Sequence, residues 1–129
     1  MVIAVAPAVE EFFFRGFFYR ALRSRFSVLA AALIDGALFG LIHFESADAV
    51  ELLPPLAFLG VVFCLVYERT GSLFAVIAIH AAFNSFAVAS EGNGVAVPIV
   101  IGLAVLASCV LVPRRLGPAP SPFVEPVRA

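Results

Sequence analysis

Two adjacent carboxylates and a guanidinium lie inside the apolar stretch VAPAVEEFFFRGFFYR, residues 5 to 20. Asp35, His43, His80 and Asn84 sit in equally apolar surroundings further along the chain. Ionisable groups at membrane depth are costly, and by default each marks a functional site. Helical spacing gives the two glutamates different work. Glu11 and Arg15 are four residues apart and share a face, with the acid N-terminal to the base, the favoured order for a pair that neutralises itself within one helix. Glu10 is turned away from Glu11 by about 100° and is poorly placed for Arg15. It must find a partner on another helix, bind water or a metal, or take up a proton. Glu11 therefore reads as a structural acid and Glu10 as a working one.

His80 and Asn84 are again four apart, two polar groups on one face of an apolar segment. Two stacked side chains able to donate hydrogen bonds suit a developing oxyanion. On the segment before them, Gly36, Gly40 and His43 fall near one face. The small-xxx-small pair Gly36/Gly40 allows close approach of a second helix and would bring His43 near it, with Phe39 one turn before. Each group also has a plainer reading. A single intramembrane histidine is more often a packing residue, and a Glu–Arg pair in a span is usually helix glue. Asp35 receives no role. The coincidence of Glu10, His43, His80 and Asn84 on three segments points to a catalytic cluster.

The elements that must position these groups are read from composition. Of 129 residues, 63% are hydrophobic and 13% charged, whereas roughly 45–50% and about 25% are usual in soluble domains. The apolar residues come in runs near the ~20 residues that cross a bilayer as a helix. Five such runs are expected to span: Val2 to Tyr19, Phe26 to His43, Leu52 to Tyr67, Ser72 to Ala89 and Val95 to Val112. Lipid offers no hydrogen bonds to the backbone, and the alternation a barrel needs is not visible, so the expectation is an all-α, polytopic membrane helix bundle with the active site between helices. Residues 1–112 form its core, and the Pro-rich residues 113–129 a poorly ordered tail. A net charge of -1 argues against a nucleic-acid partner. Cys64 and Cys109 read as buried thiols rather than a disulfide, and no basic stretch precedes the first run, so a cleaved signal peptide is not expected. Arg20, Arg23, Arg25, Arg69, Arg114 and Arg115 fall in one set of loops and Glu45, Asp48, Glu51 and Glu91 in the other. The positive-inside rule then places the C-terminus in the cytoplasm.

Three motifs carry a resemblance. EEFFFRG, FGLIH and HAAFN, in that order and each on an apolar run, are similar to the EExxxR, FxxxH and HxxxN motifs of the CPBP intramembrane proteases. These include the type II CAAX prenyl endopeptidases and bacterial relatives linked to bacteriocin processing and immunity. The resemblance covers about residues 7 to 86. It implies a multi-pass protein of a prokaryotic cell membrane that hydrolyses a peptide bond in a peptide or protein at the bilayer. Glu10 and His43 would activate a water, His80 and Asn84 would stabilise the oxyanion, and Glu11, Arg15 and Phe39 would support the site. Relatives have been described as metalloproteases, and Glu10, His43 and His80 could supply a His₂Glu set for Zn2+. Against that, HExxH is absent and Asn84 is a poor zinc ligand, so the expectation is no tightly held metal. Two other functions compete: a non-catalytic membrane scaffold or immunity protein that binds a partner through the same fold, and a small transporter or proton relay. Substrate and oligomeric state are not legible.

Overall fold

The computed structural model describes residues 5–44 and 47–89, together with Val100. The expected fifth span apart from Val100, Cys109, Glu45, Glu91 and the Pro-rich tail lie outside the described residues, as does the division at residue 112. All regular elements among the described residues are helical. Helix α1, Val5–Glu11, runs without a break into a π-helical stretch, Phe12–Phe18, and then into α2, Tyr19–Arg23. Helix α3, Val28–Leu41, follows a tight turn. A 3₁₀ segment, Ala47–Leu52, leads into α4, Leu53–Thr70, and α5 is Leu73–Ala89.

The boundaries follow from local chemistry. Ser27 caps α3, its hydroxyl accepting the Ala30 N–H at 3.3 Å, the usual service of a serine at that position. Pro54 and Pro55 open α4, where their missing N–H groups cost nothing. Gly71 ends α4 in the left-handed region at φ 65° and returns its N–H to Tyr67 O at 2.8 Å. That conformation suits glycine. Ser72 then accepts the Ala75 N–H at 3.2 Å, so only Gly71 and Ser72 separate α4 from α5.

Ionisable side chains lie within a mainly apolar core, and many large apolar side chains face outward. Glu11, Arg15, Asp35 and His80 are buried, whereas Phe12, Phe17, Leu29, Leu33, Leu41 and Phe74 are exposed. Polar groups inside and apolar groups outside are what a lipid surround favours. The 21 residues Val50–Thr70 form the one described helix long and apolar enough to cross a bilayer; Val28–Leu41 and Leu73–Ala87 are apolar but shorter. At 1.5 Å per residue α3 reaches about 21 Å, less than the ~30 Å hydrocarbon core. Of the five expected spans, one coincides with a described helix of spanning length, within an all-helical fold consistent with a membrane bundle.

Helices α3 and α4 meet backbone to backbone. A Cβ added to Gly36 would stand 2.7 Å from Ala57 O, one on Gly40 2.8 Å from Leu53 O, and one on Gly60 2.8 Å from the Gly36 Cα. The small pair Gly36/Gly40 does bring the helices close, and Gly60 on α4 completes the seam. At the other end of α4, Arg23 grips Glu68 with two nitrogens, Nε at 3.2 Å and NH2 at 3.1 Å, and the Tyr19 hydroxyl donates to the same carboxylate at 3.0 Å. Those hydrogen bonds raise the Arg23 pKa above its ordinary value. They bring the C-terminal ends of α2 and α4 together.

A branched side chain in the seam should force the helices apart. Gly36→Val is expected to destabilise the protein by about 1–3 kcal/mol, the usual cost of overpacking. Gly16→Ala, whose Cβ meets Leu73 at an ordinary 3.6 Å, should change stability by no more than about 1 kcal/mol. Thermal unfolding of both variants in detergent, followed by circular dichroism, checks the contrast.

Candidate active site

The first helix supplies both glutamates and the arginine, and its π-helical stretch decides how they face the bundle. A π turn closes on the fifth residue instead of the fourth, and the Tyr19 N–H bonds to Phe14 O in that manner. Glu11, Phe14, Arg15 and Tyr19 all end up buried. Glu11 and Arg15 pair at 3.1 Å, both side chains wholly inaccessible. The self-neutralising pair expected from spacing is present.

Arg15 does more than neutralise Glu11. Its NH2 donates to the backbone carbonyl of Gly60 at 2.6 Å and lies 3.4 Å from Asp35 Oδ1. The Cys64 thiol donates to that same Asp35 oxygen at 3.1 Å. Three aromatic rings surround the guanidinium: Phe39 with its centroid at 4.7 Å, Phe63 at 5.3 Å and Phe14 at 5.6 Å. Ring faces attract a cation at this range, more so when water is excluded.

His80 connects this network to the outer groups. Its Nδ1 is 2.8 Å from Glu11 Oε1, the oxygen that already accepts from Arg15. A carboxylate oxygen paired with a guanidinium is an acceptor, so Nδ1 carries the hydrogen. His43 is fixed in the same sense, because its Nδ1 lies 2.8 Å from Phe39 O and a carbonyl only accepts. Both rings therefore present Nε2 to the site. The two Nε2 atoms converge on a single oxygen, Glu10 Oε2, at 3.9 Å from His43 and 3.8 Å from His80. That oxygen is shielded and has no hydrogen-bond partner. The separations are too long for direct hydrogen bonds and suit a small molecule held between the groups.

Accessibility rises outward through the cluster. The side chains of Glu11 and His80 are 0% and 4% exposed, those of Glu10 and His43 23% and 31%. The site opens on the side of Glu10 and His43, near the end of α3. Asn84 is half-buried one turn beyond His80 on α5. Phe39 touches both histidine rings, with centroids 5.0 Å from His43 and 5.6 Å from His80, and Phe63 lies 4.9 Å from His80. Among the described residues no group of three or more His, Cys, Asp or Glu side chains disposed to hold a metal ion is found.

Glu10 lies beside both histidine Nε2 atoms and Glu11 beside Arg15; of this, sequence spacing yields the separation of the two acids. It passes over the bond between His80 and Glu11, the carbonyl of Gly60, the ring of Phe63 and the place of Asp35 beside Arg15. The first three are contacts between helices that leave no periodic trace. Asp35 did carry a signal, since an acid inside an apolar run needs a partner, and Arg15 was the one cation buried in a neighbouring run.

The profile of the type II CAAX prenyl endopeptidase Rce1-like family matches residues 1–86. That range contains Glu10, Glu11, Arg15, His43, His80 and Asn84. A curated relative from Bacillus subtilis strain 168, named "Putative membrane peptidase YdiL", is 34% identical over 84 residues, 65% of this chain and 33% of the relative. The chain thus spans about a third of that relative's length. No solved structure matches it.

Removing the guanidinium should be severe, because Glu11 would be left buried and uncompensated. Arg15→Met is expected to cost about 3–5 kcal/mol. Arg15→Lys, whose single ammonium lacks the planar fork that reaches Glu11 and Gly60 O together, should recover only part of this loss. Thermal unfolding in detergent measures both.

Proposed function

This chain belongs to the type II CAAX prenyl endopeptidase Rce1-like family, and from that premise we propose that it is an intramembrane endopeptidase. The observation that carries the reading is the convergence of two imidazole Nε2 atoms on the unpartnered Glu10 Oε2. A water between these groups meets two bases, the Glu10 carboxylate and the neutral Nε2 of His43, either of which accepts its proton as the oxygen attacks a peptide carbonyl. The new C–O bond leaves a tetrahedral oxyanion. His80 and Asn84 are the proposed donors to it. With Nδ1 already donating to Glu11, a donation from His80 to the oxyanion would use a second ring hydrogen on Nε2. The intermediate collapses by breaking the C–N bond, and the departing amine takes the proton held by the bases.

Glu11 and Arg15 support the site from beneath, and Phe39 sets the angle of both rings. The Glu10/His43 opening admits substrate, a peptide or protein in or at the bilayer. The reading needs no cofactor, and Zn2+ is the alternative that the experiment tests. In the same reading the chain is a multi-pass membrane protein whose arginine-bearing end, with Arg20, Arg23, Arg25 and Arg69, faces the cytoplasm.

Peptide cleavage by the detergent-solubilised protein is the test. Glu10→Gln is nearly isosteric and should lower the cleavage rate by about 10²–10⁴-fold, the usual worth of a positioned base, while the protein stays folded. A chelator should leave the wild-type rate unchanged. Loss with chelator and recovery with zinc would reinstate the metal reading, and an undiminished Glu10→Gln enzyme would remove Glu10 from the chemistry.

A further inference from the structure

One member of the buried network is used neither by the proposed reaction nor by the three motifs. Asp35 is fully buried on α3. Its Oδ1 faces Arg15 NH2 at 3.4 Å and accepts the Cys64 thiol at 3.1 Å, and its Oδ2 has no partner. A guanidinium beside a carboxylate frequently closes two parallel hydrogen bonds, yet Arg15 meets Glu11 with NH1 alone, and Glu11 Oε2 is left unbonded. The other terminal nitrogen is held away by Gly60 O at 2.6 Å and by the charge of Asp35.

We infer that Asp35 is a positioning residue for the site. It draws Arg15 NH2 towards α3 and α4, which prevents a two-pronged grip on Glu11, so that Glu11 keeps its hydrogen bond to His80 and His80 keeps Nε2 turned to Glu10. The chain of contacts runs from Asp35 to Arg15, Glu11, His80 and Glu10, at 3.4, 3.1, 2.8 and 3.8 Å. Its expected effect on cleavage rests on the peptidase reading; its effect on the His80–Glu11 contact does not.

Asp35→Asn keeps the volume and an acceptor for Cys64 but removes the charge. Arg15 then turns its second nitrogen to the unbonded Glu11 Oε2, which rotates the carboxylate and displaces Oε1 from His80 Nδ1. The exchange variant Asp35→Cys with Cys64→Asp returns a carboxylate to Arg15 from α4. The readout is the ¹⁵N spectrum of the full chain, labelled at its 2 histidines in detergent micelles, with His43→Gln to assign the signals. The His80 Nδ1 resonance should move in Asp35→Asn, with that of His43 unchanged, and return to its wild-type position in the exchange variant. An unmoved His80 resonance in Asp35→Asn overturns the inference. Should Asp35→Asn fail to fold, the exchange variant decides: a folded protein with a wild-type His80 resonance supports the positioning role, and a displaced resonance overturns it.

In cleavage assays Asp35→Asn should lower kcat by about 10–100-fold, as the loss of an orienting partner does, with little change in KM. Wild-type kcat in Asp35→Asn beside an inactive Glu10→Gln overturns this inference alone. Full activity in Glu10→Gln overturns the peptidase mechanism, and the spectrum then decides on Asp35.

Discussion

The structure is organised around one cation that water cannot reach. A guanidinium removed from solvent is tolerated when its charge and most of its donors are answered locally, since the effective penalty for desolvating an ion is several kcal/mol. Arg15 is answered from three directions: Glu11 on its own helix, Asp35 on α3 and the Gly60 carbonyl on α4. Phe14, Phe39 and Phe63 close the remaining faces. No two of these elements can shift relative to each other without weakening that arrangement. The helices that carry Glu10 and His43 are tied to the same centre, and α5 joins it through His80 and Glu11.

The glycine seam serves this centre as much as it serves packing. In an α-helix a carbonyl is already committed to the N–H four residues on, but it retains a second lone pair. Side chains normally screen that lone pair from a neighbouring helix. Gly60 has no side chain, and Gly36 opposite it has none either, so the backbones approach closely and the Gly60 carbonyl is within reach of Arg15. Small residues here allow packing and also provide an acceptor that only an unshielded backbone can offer.

What could be read in advance divides along physical lines. The angle between consecutive helical residues separates Glu10 from Glu11, and that separation is the one found: Glu11 sits inside against Arg15, and Glu10 faces two histidines from other helices. Three polar positions in distant apolar runs indicate a shared site, because lipid makes isolated ones costly. The principal partner of His80 is Glu11, 69 residues away, whereas spacing within α5 offers only Asn84. Register along one helix carries no information about which groups a second helix presents. Helix ends are not marked by hydropathy for a related reason. The run from Phe26 to His43 is apolar apart from Ser27, Asp35 and His43, but Ser27 caps the helix and it ends at Leu41, so the helix is shorter than the run. The π-helical stretch is equally silent, being a run of phenylalanines around Arg15 and Gly16 that an ordinary α-helix would also accept.

That stretch gives the first helix the character of a torsion element fixed at both ends. Above it, Glu10 and Glu11 face the two histidines; below it, Tyr19 and Arg23 are clamped to Glu68. An α-helix joining the same two anchors would carry fewer residues per turn and arrive with its lower end rotated. The wide turns absorb that angular misfit. The orientation of the acids is therefore a twist maintained between two grips, and deleting one residue between Phe12 and Phe18 would alter the angle at which Glu10 meets His43 and His80 while every residue of the cluster remained in the chain.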